Sequence, residues 1–276
     1  MRNGRGIGAA IAAALIAVPA AGCSPGSVNG SGHRAPCPAV FFGVAGSGQG
    51  PQFPAPADVP RGMTRADARN YGPIVARVKD AVQRVAGPRV AAAKAIDYPA
   101  VTAEHWAWLN GLTGLAASEA VGARHLLAAI RRSYRRGCAA RPVLVAGYSQ
   151  GAEVVVQAVD ALPARRQRSV TVALLGNPSY EPGLRGDFPA GARDAGVRPT
   201  FLGTNAALRL PAAVRRRTID LCAPGDPVCG VAHSFGGVAG QIDYILAHMP
   251  IHTSAYRSRY ADMAARYLWR HRVPMR

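Results

Sequence analysis

The segment VLVAGYSQGAEVVVQAV, residues 143–159, contains an unbroken apolar run, a glycine-rich turn and a second apolar run. The first run is short and apolar at almost every position, which is typical of a strand buried on both faces of a parallel sheet. The second run has the length of a short helix. A strand that turns directly into a helix is the repeating unit of α/β folds. A lone serine, Ser149, lies in that turn between Gly147 and Gly151.

Runs typical of strands and runs with helical spacing alternate along the rest of the chain. Strands are predicted at 39–45, 90–100, 142–147, 169–176 and 216–222, and helices at 64–86, 114–137, 152–162 and 253–271. This alternation predicts an α/β fold with a central, mostly parallel five-stranded sheet and helices on both faces. Because ligands of such sheets bind beyond the carboxyl ends of the strands, functional loops are expected after Ala45, Asp97, Gly147, Gly176 and Leu221.

Composition predicts one compact domain with a basic surface. The chain has 276 residues, of which 49% are hydrophobic and 17% charged, and a formal net charge of +18. A solvated basic surface is the simpler interpretation of this charge, and attraction to an anionic cell-envelope surface is the alternative. The arginines are dispersed and are not interleaved with aromatic residues, so no nucleic-acid partner is predicted.

The N-terminus has the pattern of an export signal. A basic start, MRNGRG, precedes the apolar run IGAAIAAALIAV, which is too short to span a membrane, and the small residues PAAGC follow. Residues 1–22 are therefore predicted to be a signal peptide. Residues 23–36 are rich in Gly, Ser and Pro and predict a flexible tether. The folded domain is expected over residues 37–276.

An odd number of cysteines in an exported protein needs an explanation. The five are Cys23, Cys37, Cys138, Cys222 and Cys229. Cys23 ends an Ala-Ala-Gly-Cys sequence that resembles a bacterial lipobox, although Ala20 stands where leucine is usual. We expect a lipid on Cys23 that anchors the protein to the outer face of the membrane; the alternative is ordinary cleavage nearby. Four cysteines then remain for two disulfides.

Ser149 lies in a G-x-S-x-G motif between a predicted strand and a predicted helix. This context is that of a nucleophile elbow, a sharp turn that lifts the serine hydroxyl above the sheet. The alternative is a glycine-rich turn with an incidental serine. A serine hydroxyl needs a base to remove its proton and an acid to orient that base. In this fold class the chain order is serine, acid, histidine.

Asp226 is the predicted acid. It lies in CAPGDPVC, residues 222–229, directly after the last predicted strand. A disulfide across so short a loop would stabilise it by roughly 2.5 kcal/mol and would fix the direction of the carboxylate. The alternative is a Pro-Gly-Asp turn with a structural role only.

His252 is the predicted base among the four histidines after Asp226, which are His233, His248, His252 and His271. It follows Pro250, which is expected to end a helix, so His252 is predicted on a loop. The same proline would interrupt the helix that a His248–His252 metal pair needs, and no metal is predicted. His248 continues the apolar spacing of its helix, His233 lies close behind Asp226, and His271 lies near the chain end. A histidine base must be neutral, so ester turnover should rise through roughly pH 6 to 8.

Several short motifs together resemble the cutinase family, small serine esterases of the α/β-hydrolase type. They are CPAV at 37–40, AGSG at 45–48, YPA at 98–100, the S-x-x-x-G of Ser118 and Gly122, GYSQGA at 147–152 and C-x-x-x-D-x-V-C at 222–229. The last two together are specific to the family. His252 also resembles the histidine of the family's histidine-then-tyrosine ending.

The resemblance implies a complete hydrolase site. Ser149 would be the nucleophile and Asp226 the acid, with disulfides Cys37–Cys138 and Cys222–Cys229. The oxyanion hole would use the backbone N–H groups of Gln150 and Ser47, with help from the Ser47 hydroxyl. Gln49 and Ala45 depart from the family's usual acidic residue and arginine. Residues 104–114 add length with two tryptophans, which favours a partly covered site for a lipid-like acyl chain.

The expected protein is therefore an exported, lipid-anchored serine carboxylic ester hydrolase without a cofactor. Its substrate would be an ester or lipid-like small molecule, and its intermediate an acyl-enzyme on Ser149. Two alternatives stay open. One is an acyltransferase of the cell envelope that uses the same triad, and the other is a non-catalytic envelope-binding protein on a hydrolase scaffold.

Overall fold

A computed structural model describes most of the domain. The described residues are 37–102, 111–135, 141–182, 187–188, 196–197, 210–230, 237–257 and 259–273. By its internal contacts the chain divides into Met1–Ala35 and Pro36–Arg276, and the described residues all belong to the second unit. The predicted signal peptide (1–22), the tether (23–36) with Cys23, Cys138, His233 and the tryptophans of 104–114 lie outside the described residues.

Six strands form one sheet. They are β1 Ala39–Val44, β2 Val90–Ala95, β3 Val143–Tyr148, β4 Val170–Leu175, β5 Asp187–Phe188 and β6 Thr218–Leu221. Their order is β2-β1-β3-β4-β6-β5, and every neighbouring pair is parallel. The five predicted strands and the α/β class are confirmed. The two-residue β5 at the edge was not predicted, because two residues carry no readable periodicity.

Helices cover both faces of the sheet. They are α1 Arg65–Ala86, α2 Gly111–Arg135, α3 Gln150–Asp160, the short α4 Ala164–Gln167 and α5 Ala212–Arg215, α6 Gly237–Ala255 and α7 Arg259–Arg270. Alternate strand residues face opposite cores. Val143 and Val145 pack with α2 and α3, whereas Leu144 and Ala146 pack with α1 and α7. Within the described residues, no helix combines the length and apolar character that crossing a membrane requires.

The loop predicted around His252 is wrong. Helix α6 continues through Pro250, and His252 lies in its last turn. Proline fixes φ near the helical value and removes only one backbone N–H donor, so a helix can pass through it at a cost. The following helix, α7, begins at Arg259 and not at residue 253 as the apolar spacing indicated.

Candidate active site

Ser149 occupies a strained turn between β3 and α3. Its φ is +53°, an unusual value for a residue with a side chain, and its N–H donates to the Leu175 carbonyl at 2.9 Å. A Cβ on Gly147 would lie 2.4 Å from the Gly151 carbonyl oxygen, and a Cβ on Gly151 would lie 2.3 Å from the Ala45 carbonyl oxygen. Both positions must therefore be glycine, which explains the spacing of the motif.

Asp226 and His252 form a buried pair. The Nδ1 atom of His252 lies 2.9 Å from Oδ1 and 2.8 Å from Oδ2 of Asp226. His252 is 2% exposed and Asp226 is 0% exposed. The other ring nitrogen, Nε2, is buried and has no hydrogen-bond partner among the described residues. His252 and Ser149 line the same cavity. A base oriented by a carboxylate therefore lies beside the predicted nucleophile with its second nitrogen available.

Several donors converge on the Asp226 carboxylate. The N–H groups of Val228 and Cys229 donate to Oδ1 at 2.7 and 3.3 Å, and the Tyr256 hydroxyl donates to Oδ2 at 2.5 Å. Burial alone would raise the pKa of the Asp226 carboxyl. The neighbouring His252 and these hydrogen bonds outweigh burial and hold that pKa below its usual value. The carboxylate therefore stays ionised and can orient the histidine.

Tyr256 connects the acid to the loop around it. Its hydroxyl accepts the Ala223 N–H at 2.9 Å while it donates to Asp226, and it lies 3.3 Å from the Cys229 sulfur. Burial and then the negative charge of Asp226 raise the pKa of Tyr256 well above its usual value, so the phenol keeps the proton that it donates. Sequence reasoning gave Tyr256 no role. The one signal available was a tyrosine four residues after the predicted base.

Two further residues fix the ring of His252, and the sequence did not identify either. Tyr148 stacks on the imidazole with ring centroids 4.8 Å apart, and its hydroxyl donates to the His252 carbonyl at 3.2 Å. Gly176, at φ +56°, lies so close that a Cβ would be 2.5 Å from the ring atom Cε1. Tyr148 directly precedes the nucleophile, so the same strand end positions both groups.

The other two described candidates for the base, His248 and His271, lie elsewhere. His248 stacks on Tyr244 and its Nδ1 lies 2.8 Å from the Tyr244 carbonyl oxygen. His271 is placed in the same way against Tyr267. Neither lines the cavity of Ser149. Among the residues that the structure describes, no group of His, Cys, Asp or Glu side chains could hold a metal ion.

The predicted disulfide between Cys222 and Cys229 is confirmed. It joins the two ends of the loop that carries Asp226, and Cys229 also supplies one of the N–H donors to the carboxylate. Cys37 is disulfide-bonded as well. Its predicted partner, Cys138, lies outside the described residues, so that pairing stays a prediction.

Ser47 and Gln150 lie next to each other at the predicted oxyanion hole. The Ser47 hydroxyl is 3.4 Å from the Gln150 side-chain oxygen, and the Gln150 amide donates to the Ser118 hydroxyl at 3.2 Å. Gln150 is the first residue of α3, where backbone N–H groups and the helix dipole favour negative charge. The contact with Ser118 gives the S-x-x-x-G motif a structural role, because it holds Gln150 in place.

The cavity at the site has a volume of about 470 Å³. Its lining includes the polar residues Ser47, Gln49, Ser149, His252 and Arg257 and the apolar residues Pro54, Pro56, Ile74 and Met249. A volume of this size is typical of sites for small organic ligands. The mixed lining fits a molecule with a polar reacting group and an apolar chain.

A protein-family model described as Cutinase matches residues 60–271. Curated relatives include two proteins named Carboxylesterase Culp1, from Mycobacterium bovis and Mycobacterium tuberculosis, each 26% identical over 128 residues. The match covers 46% of this chain and 51% of each relative, so the chain spans about half the length of the curated relatives it matches.

Solved structures with the same architecture include a cutinase-like protein from Cryptococcus sp. and an acetylxylan esterase. The first has a TM-score of 0.54 at 20% identity and is covered over 97% of its length by 85% of this chain. The second has a TM-score of 0.54 at 18% identity and is covered over 100% of its length by 87% of this chain. At this level of identity, the likeness shows the fold.

Proposed function

Because the chain belongs to the cutinase family, we propose that it is a serine carboxylic ester hydrolase that works through an acyl-enzyme on Ser149. The observation that carries the proposal is the buried Asp226–His252 pair: His252 lines the same cavity as Ser149, and its Nε2 has no hydrogen-bond partner among the described residues. Such an arrangement needs no metal, because the base and its orienting acid are both side chains.

In the first half of the reaction, Nε2 of His252 takes the proton of the Ser149 hydroxyl as the oxygen attacks the ester carbonyl. Asp226 stabilises the imidazolium that forms. The backbone N–H groups of Gln150 and Ser47 donate hydrogen bonds to the carbonyl oxygen, which gains negative charge as the intermediate forms. Collapse of this intermediate breaks the ester bond, and His252 returns the proton to the departing alcohol.

In the second half, His252 removes a proton from water, and the resulting hydroxide oxygen attacks the acyl carbon. The bond to Ser149 breaks, the serine oxygen regains the proton, and the carboxylic acid leaves. An alcohol in place of water would give acyl transfer instead. Measuring free acid against new ester in the presence of an alcohol separates these two outcomes.

The decisive test is the turnover of p-nitrophenyl esters of increasing chain length. The Ser149→Ala variant should lose at least about a thousandfold in kcat, since the nucleophile is gone and only binding and the oxyanion hole remain. Ser133→Ala is the matched control, because its hydroxyl bonds within α2 to the Ile130 carbonyl. Equal, measurable turnover by wild type and Ser149→Ala would reject Ser149 as the nucleophile. No turnover by wild type with any ester would reject the esterase and favour a binding protein on this scaffold.

The proposal includes export and a lipid anchor. Its support is the signal-like pattern of residues 1–22 followed by Cys23, together with an even number of cysteines after it. A basic surface of net charge +18 fits an anionic envelope as the place of action. Mass spectrometry of the N-terminal peptide from the native host is the test. An unmodified N-terminus downstream of residue 23 would reject the anchor.

A further inference from the structure

A second cleft lies beside the catalytic cavity. It has a volume of about 250 Å³ and lies where α1, the segment before it and the start of α7 meet. Its charged lining residues are Arg61, Arg77, Arg84, Arg257, Asp80 and Asp262. We call it the arginine cleft.

The acidic residues of the arginine cleft already have cationic partners. Asp80 lies 3.0 Å from the Lys79 ammonium, and Asp262 lies 3.2 Å from the Arg84 guanidinium. The other three cations, Arg61, Arg77 and Arg257, have no ion-pair partner among the described residues. The lining of the cleft carries four guanidinium groups and two carboxylates, so positive charge is in excess there.

Arg77 gives the strongest sign that a ligand belongs there. Its Nε atom is buried and has no hydrogen-bond partner among the described residues, while the residue lines the cleft. A buried donor without an acceptor is unfavourable, and burying part of a guanidinium next to other cations adds to the cost. An anion bound in the cleft would offset the charge of this guanidinium.

We propose that the arginine cleft binds a phosphate-type oxyanion. One guanidinium fork satisfies a carboxylate, whereas three guanidinium groups around one volume match the several oxygens and the higher charge of a phosphate group. The phosphate is either free or part of a larger molecule such as an acylated phospholipid.

The position of Arg257 connects the arginine cleft to the reaction. Arg257 lines both the arginine cleft and the cavity of Ser149. The side chain of Arg257 therefore separates a phosphate bound in the cleft from the cavity of Ser149. If the proposed esterase function holds, a phospholipid whose head group occupies the cleft can present its acyl ester to Ser149.

The first arm of the test measures binding without catalysis. Thermal unfolding is followed with rising inorganic phosphate at constant ionic strength, for wild type, Arg77→Gln and Arg131→Gln. Bound phosphate raises the Tm of wild type, and the apparent Kd of Arg77→Gln should be weaker by about tenfold, since a charge-assisted contact is lost. Arg131 is exposed on α2 and lines neither cavity, so its variant should match wild type.

Arg61→Gln is a second variant in case Arg77→Gln does not fold, because Arg61 is exposed before α1. The same phosphate dependence in wild type and in the folded cleft variants would overturn the proposal. The turnover of neutral p-nitrophenyl esters is independent of this arm, so its absence would reject the esterase function and leave the binding result standing.

The second arm identifies the source of the phosphate. Monomeric dihexanoyl phosphatidic acid and dihexanoylglycerol are compared as substrates. If the head group binds in the cleft, the ratio of kcat/KM for the charged over the neutral ester should fall about tenfold in Arg77→Gln, mainly through KM. An unchanged ratio, with phosphate binding retained in the first arm, assigns the cleft to free phosphate and overturns head-group binding.

Discussion

Gly176 contacts the imidazole of His252 so closely that one added methyl group does not fit. An alanine there would place its Cβ 2.5 Å from Cε1 and would hold a φ of +56°. We predict that Gly176→Ala lowers kcat by about 100-fold, because displacement of a catalytic group by about 1 Å has effects of that order. Its stability should fall by roughly 1–3 kcal/mol from the positive φ. Ester kinetics and urea unfolding measure the two effects.

Gly87→Ala is the matched control for Gly176→Ala. Gly87 has a φ of +57°, but nothing lies within 4 Å of the position that its Cβ would take. The control should carry the backbone strain and keep near-native kcat. A similar kcat for the two variants would mean that the ring of His252 tolerates displacement.

The sequence indicated the candidates for the nucleophile, acid and base more readily than the residues that contact them. Ser149 and Asp226 stand in motifs, and chain order pointed to a histidine after them. Gly176 and Tyr256 act through contacts between distant parts of the chain, and no local spacing encodes such contacts. The nucleophile and acid could therefore be predicted, but not the groups that hold the base and acid in place.

The loop from Cys222 to Cys229 presents Asp226 to His252. Its disulfide restricts the loop, and the N–H groups of Val228 and Cys229 donate hydrogen bonds to the Asp226 carboxylate. We predict that joint replacement, Cys222→Ser with Cys229→Ser, costs about 2.5 kcal/mol of stability. Turnover should also fall by about tenfold or more well below the Tm, because the carboxylate loses its fixed direction.

A control for the disulfide variant must be equally unstable but distant from the loop. Ile130→Ala removes a fully buried side chain from α2, in the core cluster that contains no residue of the loop, and should cost about 2–5 kcal/mol. Its turnover should stay near that of wild type at temperatures where both are folded. If the disulfide variant behaves in the same way, the bridge stabilises the loop without orienting the acid.

At the scale of elements, unbroken apolar runs were reliable and single prolines were not. Strands β1 and β3 could be predicted most readily, because both are buried throughout and are apolar at almost every position. The end of α6 could not, because Pro250 is compatible with helical φ and the packing of the following turn decides whether the helix continues. His252, the predicted base, therefore lies in a helix and not in the loop that the sequence indicated.

The stability of the whole domain should depend on pH through Asp226. The pKa of the Asp226 carboxyl is lowered in the folded protein, whereas the pKa of an aspartate in the unfolded chain is about 3.9. A lowered folded pKa stabilises the protein above that unfolded value, and this contribution is lost as the pH falls through the folded pKa. The Tyr256 hydrogen bond is one of the causes of the lowered pKa.

We predict that Tyr256→Phe destabilises the protein by about 2 kcal/mol at pH 7, as expected for loss of a hydrogen bond to a charged group. The difference in the free energy of unfolding between wild type and Tyr256→Phe should narrow below about pH 4, where the Asp226 carboxylate of the unfolded chain gains its proton. Urea unfolding at several pH values measures this difference. Tyr267→Phe is the control, because Tyr267 bonds to the Arg216 carbonyl and not to a carboxylate. A difference that is constant with pH would contradict the role of Tyr256.

The packing of α1 and α7 on one face of the sheet brings the beginning and the end of the domain into contact. Contacts between such distant segments raise the contact order. Folding is then slower, because the chain loses loop-closure entropy before the stabilising contacts form. The base and the acid also come from the last third of the chain, whereas the nucleophile lies in its middle. A chain that has not yet docked its C-terminal segments therefore has the serine without its predicted partners, so under the proposed function we expect hydrolysis to begin only when folding is complete.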